Sequence, residues 1–308
     1  MESRFIEPPV IKVNKNTCSQ CGLCVRICPT RIFRSSDEDK ATTTHHPEEC
    51  VLCGQCLCAC STNSIVHSGF VLTNFNRITT SKPVTPEAAF EFLAQRRSVR
   101  NYKKEVPPVE QLEKIVQIAG FAPGSPHHRI GWIRNVIIVC GEDNMKVILN
   151  LTADYMQKML KLLKSNFLKI LAKFSDSARS GLAVIPDFEM RINEYKNGRD
   201  SIIYRAPAAI FFHAPMASST PQTDCDTASL LVQLYAEANG LGTCWNGLLQ
   251  GAAAGDHLKG FTDLASFLKI PVGHKCYAAM TIGYPSVNLH SIPERKVKIT
   301  WINGLNSK

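Results

Sequence analysis

Eight cysteines fall in two short runs with the same internal spacing, and no other feature limits the fold so tightly. Cys18, Cys21, Cys24 and Cys28 stand in CSQCGLCVRICPT, and Cys50, Cys53, Cys56 and Cys60 in CVLCGQCLCACST. The second run repeats the first at an offset of 32 residues and brings with it CG at 21–22 and 53–54 and a short apolar element, Arg31-Ile32-Phe33 or Ser64-Ile65-Val66. The segment is an internal duplication. Its spacing, C-x2-C-x2-C-x3-C, is that of thiolates around [4Fe–4S] clusters. Three cysteines two apart wrap a turn around one cubane, while the fourth lies too far along to reach the same irons and ligates the other cluster. The expected sets are therefore Cys18, Cys21, Cys24 and Cys60 for one centre and Cys50, Cys53, Cys56 and Cys28 for the other. Paired zinc knuckles are the alternative. Zinc asks for closed tetrahedra, often from separated CxxC or CxxH pairs, and leaves the repeated fourth cysteine without a purpose.

The first run ends in Pro29 and is the ligand run of bacterial two-cluster ferredoxins; the second departs from it with Ser61 at the corresponding place. Cys58, between two expected ligands, and the single Cys140, Cys225, Cys244 and Cys276 read as small buried thiols. The start, MESRFIEPPV, has no apolar core behind a basic flank and does not read as a secretory signal, and no stretch approaches the ~18 apolar residues of a spanning helix. A soluble, cytoplasmic protein is expected, in which thiols stay reduced and close spacings mean metal or redox work. The net charge of +9 comes from Lys and Arg spread along the chain, with no basic run interleaved with aromatics. Nucleic-acid binding is not expected.

With 308 residues, 44% of them hydrophobic, the chain has room for two domains and a sizeable core. Cysteine density collapses after GFVLTNFNRITTSKPVT (69–85), a strand end running into a polar linker. The expected organisation is a cluster domain at 1–75, a linker at 76–86 and a second domain at 87–308. Thr85-Pro86-Glu87 is a helix-start signal, opening a helix that ends in RRSVRNY. Pro107-Pro108 opens another, with Leu112, Ile115, Val116 and Ala119 at helical spacing. VIIVCG (136–141), AAIFFHA (208–214) and AAMTIGY (278–284) read as buried strands, and a helix is expected from Asp226 to Gly240. Strands alternating with helices argue for a mixed sheet between helices.

RRSVRNY (96–102), two prolines and a helix, AGFAPGSP (119–126), a strand, GLGTCWNGLLQ (240–250), IPVGHKCYAAMTIGYP (270–285) and ERK (294–296) together resemble the nitroreductase family of FMN enzymes over roughly the last 220 residues. With the cysteine repeat, the whole chain resembles the ferredoxin–nitroreductase fusions of anaerobic bacteria and protists. That resemblance implies an α+β fold, a small bacterial-ferredoxin-like domain followed by a mixed sheet flanked by helices, and a homodimer with FMN at the subunit interface. On the residues themselves, Arg96, Arg97 and Ser98 offer charge-assisted donors suited to a phosphate, and Arg100 a cation to face the flavin ring; the other reading of RRSVR is a helix C-terminal cap. The resemblance implies that Pro123, Gly124, Ser125 and His127 reach the partner's flavin. Where the family often shows Ser then Asn, this chain has Gly124 and His127. It also implies that Gly247, Leu248, Leu249 and Gln250 lie against the flavin N5 side and that Arg295, or Lys296 one place on, contacts the phosphate.

No side chain in the second domain reads as a dedicated acid, base or nucleophile, and flavin chemistry asks for none. The clusters then act as a wire, bringing electrons from a ferredoxin-type donor to FMN and on to nitroaromatic, nitroheterocyclic or quinone acceptors. Two other classes stand beside this: an electron-transfer partner of a larger redox complex, and an ene-type or dehalogenating flavin reductase. No G-x-G-x-x-G follows a strand, although family members can bind NAD(P)H over the flavin. YMQKMLKLLKSNFLKILAKF (155–174) is amphipathic with a basic face; it reads as a membrane-surface helix, or as an inserted helix packed on its own protein and covering the active site. His45-His46 falls in a polar, solvated loop.

Overall fold

The structure, a computed structural model, describes residues 7–35, 42–71, 78, 84–124, 135–254, 260–261 and 263–302. The duplication governs the cysteine-rich part. Helices α1 (Leu23–Ile27) and α2 (Gln55–Ala59) occupy equivalent places in its two halves. Strand β1 (Ile11–Val13) pairs antiparallel with β4 (Ile65–His67), and β2 (Phe33–Ser35) with β3 (Thr42–Thr44). Even the unusual backbone repeats at the offset of the sequence: φ is positive at Gln20 and Leu52, at Gly22 and Gly54, and at Arg31 and Asn63. The left-handed region costs a residue with a Cβ roughly 1–2 kcal/mol, so a leucine held there marks a loop shape imposed by what the loop surrounds. Ile11, Ile32, Phe33, Leu57 and Ile65 form a small core that also buries Cys50 and Cys56.

The remaining elements form three layers around one sheet. Helix α3 (Pro86–Gln95) starts where the sequence signals it, with Thr85 Oγ1 accepting from the Ala88 amide at 3.2 Å. Helix α4 (Val109–Gln117) turns Leu112 and Ile115 inward. Strand β5 (Asn135–Cys140) leads into α5 (Glu142–Leu163), α6 (Asn166–Leu171), α7 (Asp176–Ala183) and α8 (Ile185–Lys196). After β6 (Ala208–Pro215) come α9 (Pro221–Ala238), β7 (Gly242–Trp245), α10 (Gly247–Ala253), α11 (Asp263–Phe267) and β8 (His274–Gly283). The sheet order is β5-β6-β8-β7, each pairing antiparallel. Its mixed character comes from Ser98, which bridges Thr243 in parallel at the β7 edge.

Period-two alternation along β6 explains its unbroken apolar sequence. Ala209 and Phe211 face a core built with Met145, Ile148 and Met156 of α5, Phe188 and Ile192 of α8, and Leu249 of α10. Ala208, Ile210 and Phe212 face the opposite core, with Leu112 and Ile115 of α4 and Ala228 and Val232 of α9. Helix α9 starts five residues before the expected Asp226, because Pro221 can take the first helical position without losing a needed amide. The basic amphipathic stretch is two helices rather than one. Ser165 breaks it and caps α6, its Oγ accepting from the Leu168 amide at 3.4 Å. Met156 and Leu163 pack inward, Lys158 bonds Asp154 at 2.7 Å and Asp263 at 2.8 Å, and Lys164 pairs with Glu189, while Phe167, Ile170 and Phe174 stay exposed. Among the described residues, no helix is long and apolar enough to cross a membrane.

Candidate functional site

The eight repeated cysteines gather in two sets of four. Cys18, Cys21, Cys24 and Cys60 line one small cavity, and Cys28, Cys50, Cys53 and Cys56 line another. Each set draws three thiols from one half of the duplication and one from the other. Backbone amides point at the sulfurs, Gln20 to Cys18 and Leu52 to Cys50 at 3.4 Å each, and Ser64 to Cys60 at 3.2 Å. Both donors in the first pair are the left-handed residues that repeat, so the strained loop is what aims the amide inward.

The two cavities differ in their surroundings. Burial pushes the Cys56 thiol up to about 12 and raises Cys50 and Cys24 as well. Exposed Cys21 is lowered by the Leu23 amide and the Ser19 hydroxyl. Burial opposes ionisation of Cys60, yet the Thr62 hydroxyl and the Ser64 amide hold it below the usual thiol value. Thiols raised by burial give up their protons only as a cation takes the proton's place. Cys58, expected to be buried, is exposed: α2 turns it outward while Cys56 and Leu57 face in. Cys225, Cys244 and Cys276 are buried as expected, and Cys140 is half-buried on β5.

The second group of predicted residues lies where the RRSVR segment runs along β7. The Val99 amide donates to the Thr243 carbonyl at 2.9 Å. Gly242 is required by this approach, since a Cβ there would lie 2.5 Å from a Val99 methyl. Arg96, Arg100 and Ser98 all act on Cys244, whose thiol is nevertheless pushed up because burial outweighs them. Arg191 of α8 acts on the same thiol in the same direction and donates to the Tyr204 hydroxyl at 3.4 Å. It is a cation that sequence reading did not find, and it comes from a helix more than 50 residues away in the chain. Arg100 lies over the Tyr204 ring at 5.7 Å. Arg97 does something else. It turns back on α3, donating to the carbonyls of Ala94 at 3.0 Å and Arg96 at 2.9 Å, as the helix-cap reading describes, and its Nη2 is buried with no protein partner.

Tyr204 and Arg205 both have positive φ, 60° and 53°. Asp200 holds this turn by accepting from the amides of Ile202 and Ile203 at 2.9 Å each and of Arg205 at 2.6 Å. Asn246 ties the turn to α10: its Nδ2 donates to the Ile202 carbonyl at 2.7 Å, and its Oδ1 accepts from the amides of Leu248 and Leu249 at 3.1 Å each. The Gln250 amide donates to the Asn246 carbonyl at 3.0 Å, and Leu249 is buried, so of the four predicted residues it is Gly247 that is exposed, beside the half-exposed Trp245 ring. Pro123 and Gly124 end the described stretch after α4, with the Pro123 carbonyl accepting from Thr227 at 2.8 Å. Ser125 and His127 lie outside the described residues. Arg295 and Lys296 stand exposed on the C-terminal run.

The nitroreductase family model matches residues 93–284, more than half of the chain. The chain belongs to the nitroreductase family. A 4Fe-4S dicluster domain model matches residues 17–64, which contain both thiol sets. This nitroreductase-family protein therefore carries a ferredoxin-type domain ahead of its nitroreductase domain. Similar solved structures include a nitroreductase with bound FMN from Bacteroides fragilis, 20% identical, covering 70% of this chain and 98% of that one with a TM-score of 0.48. An FMN-dependent nitroreductase from Clostridium difficile is 17% identical over 71% of this chain and 100% of that one, with a TM-score of 0.49. An iodotyrosine deiodinase bound to FMN and 3-iodo-L-tyrosine is 16% identical over 70% and 98%, with a TM-score of 0.47. Among curated proteins, none matches the chain.

Proposed function

We propose that the protein is an FMN-dependent oxidoreductase that takes in electrons at two [4Fe–4S] clusters and gives them up at FMN to nitro or quinone acceptors, working as a homodimer. Residues 1–75 form the cluster-bearing unit, 76–86 the linker and 87–308 the flavin unit. One observation carries the reading. Two cavities, each lined by three thiols from one half of a duplication and one from the other, sit in the same chain as a nitroreductase-family domain. Four thiols at this spacing around one cavity suit a cubane.

The second site suits FMN. Arg96 and Arg100 stand on the segment whose Ser98 bridges Thr243 of β7, and Arg100 and Arg191 both meet Tyr204; such guanidinium groups would hold a dianionic phosphate and offset negative charge on a reduced ring. Trp245 and Gly247 are exposed beside it. Bound there, FMN would supply one- and two-electron transfer to an acceptor on its face. The residues of the chain supply position and electrostatics: Asp200 and Asn246 fix the turn that carries Tyr204, and Arg100 lies between that turn and β7. A ferredoxin-type carrier, NAD(P)H or both would serve as donor. The two closely spaced cysteine runs, which suit metal work rather than disulfides, fit a reducing compartment such as the cytoplasm.

Anaerobic stopped-flow reduction of the flavin separates the parts. Cys21→Ser is expected to slow reduction by a ferredoxin-type donor while FMN stays bound and any hydride delivery from NAD(P)H survives. Arg100→Ala is expected to harm both routes with iron content intact. Unchanged ferredoxin-driven reduction in the Cys21 variant would remove that cluster from the path.

A further inference from the structure

The two cavities are copies of one sequence unit, yet the side-chain donors to their sulfurs differ: hydroxyls of Ser19, Thr42 and Thr62 act on the first set, while the second has an imidazole. His67 is buried at the end of β4, and its Nε2 lies 3.4 Å from Cys50 Sγ. The offset of the duplication puts Ser35 at the matching place in the other half, exposed at the end of β2. The protonation of the ring follows from its neighbours. The Gly69 amide donates to Nδ1 at 3.0 Å, so Nδ1 carries a lone pair and the single proton of the neutral imidazole sits on Nε2, aimed at sulfur. The approach is close: a Cβ at Gly69 would lie 3.1 Å from the ring carbon Cε1, so the ring would have to give by a few tenths of an ångström. Phe70 packs edge-on against the ring, with centroids 5.0 Å apart at 69°.

We propose that His67 tunes the reduction potential of the cluster held by Cys28, Cys50, Cys53 and Cys56 through an Nε2–H···Sγ hydrogen bond to Cys50, making the two clusters of the duplicated unit inequivalent. The inference rests on the reading of Cys50 as a cluster ligand. On reduction the cluster gains one electron and its sulfurs gain negative charge; no bond breaks and no proton moves. A donor aimed at a ligand sulfur stabilises the reduced form more than the oxidised one and raises the potential. Cys50 receives this bond in addition to the Leu52 amide, whereas its repeat-mate Cys18 has the corresponding Gln20 amide at the same 3.4 Å.

The test is a potentiometric titration of the full chain, purified without oxygen and followed by electron paramagnetic resonance, with iron and sulfide counted in each sample. His67→Phe keeps a flat ring of similar size and removes the N–H. It is expected to shift the reduction equilibrium of one cluster about tenfold toward the oxidised form, about 59 mV for one electron, and to leave the other in place. His67→Gln, which can still donate from a side-chain nitrogen, is expected to recover part of the shift. A Phe variant with full iron and both potentials unmoved would overturn the proposal, as would a Gln variant as low as Phe. Should the Phe variant lose iron, the wild type decides by itself: with 15N-labelled histidine, pulsed resonance should detect nitrogen coupled to one reduced cluster, and its absence would overturn the bond. A wild-type chain without acid-labile sulfide would instead defeat the ligand reading beneath it.

Discussion

Replacing Asn246 with Ala removes three hydrogen bonds that hold the flavin unit's two loops together. The side chain is 5% exposed, caps α10 through the Leu248 and Leu249 amides, and donates to the carbonyl of Ile202. Loss of an N-cap costs about 1 kcal/mol. The Ile202 carbonyl, left without its donor, adds about 1–3 kcal/mol, because a buried acceptor then carries its full desolvation cost. The sum, roughly 2–4 kcal/mol, corresponds to a fall of roughly 5–15 °C in Tm for a unit of this size. Differential scanning fluorimetry of matched, flavin-free samples reads it directly. Asn246→Asp keeps an acceptor for the cap and lacks the donor, so it should fall between. FMN retention should drop in the same order, because the bond to Ile202 is what ties the Tyr204 turn to α10. An Ala variant melting within a degree or two of wild type would show that Asn246 does not join these segments.

Gly242→Ala should cost about 1–3 kcal/mol, as overpacking does, and weaken FMN binding together with it, since the new Cβ meets stiff Val99; a denaturation midpoint and FMN affinity both unchanged would contradict the close approach. His213 is held down to about 4 by burial, with His274 beside it adding to the effect. Between its ordinary 6.5 and about 4 the unfolded chain binds the proton and the folded one does not, so stability should fall as pH drops through that window. His213→Gln should flatten that part of the pH–stability curve, and an unaltered slope would rule His213 out as its source.

The cluster unit was legible because its information is local and duplicated: an offset of 32 residues was enough to pair Cys60 with the first set and Cys28 with the second, the same sets that line the cavities. Thr85-Pro86 and the apolar runs of β6 and β8 likewise announce themselves within a few residues. What remained hidden depends on contacts between distant segments. β7 is four residues, GTCW, without alternation, and it becomes a strand through β8 and the bridge to Ser98. Arg97 and Arg96 are adjacent and chemically identical, and only the turn after α3 sends one to helix carbonyls and the other to Gln233 of α9. Arg191, Asp200 and Asn246 carry no motif at all. Two signals were present and went unread: Pro221 after Thr220, which starts α9, and Ser165, which splits the amphipathic stretch.

The central claim, that one chain joins two [4Fe–4S] clusters to a flavin, is tested most directly by counting. Protein purified without oxygen should contain about eight iron and eight acid-labile sulfide per chain, together with about one FMN and a broad brown absorbance that dithionite bleaches. Two zinc with no sulfide, or a full complement of iron with no FMN even after reconstitution, would contradict it.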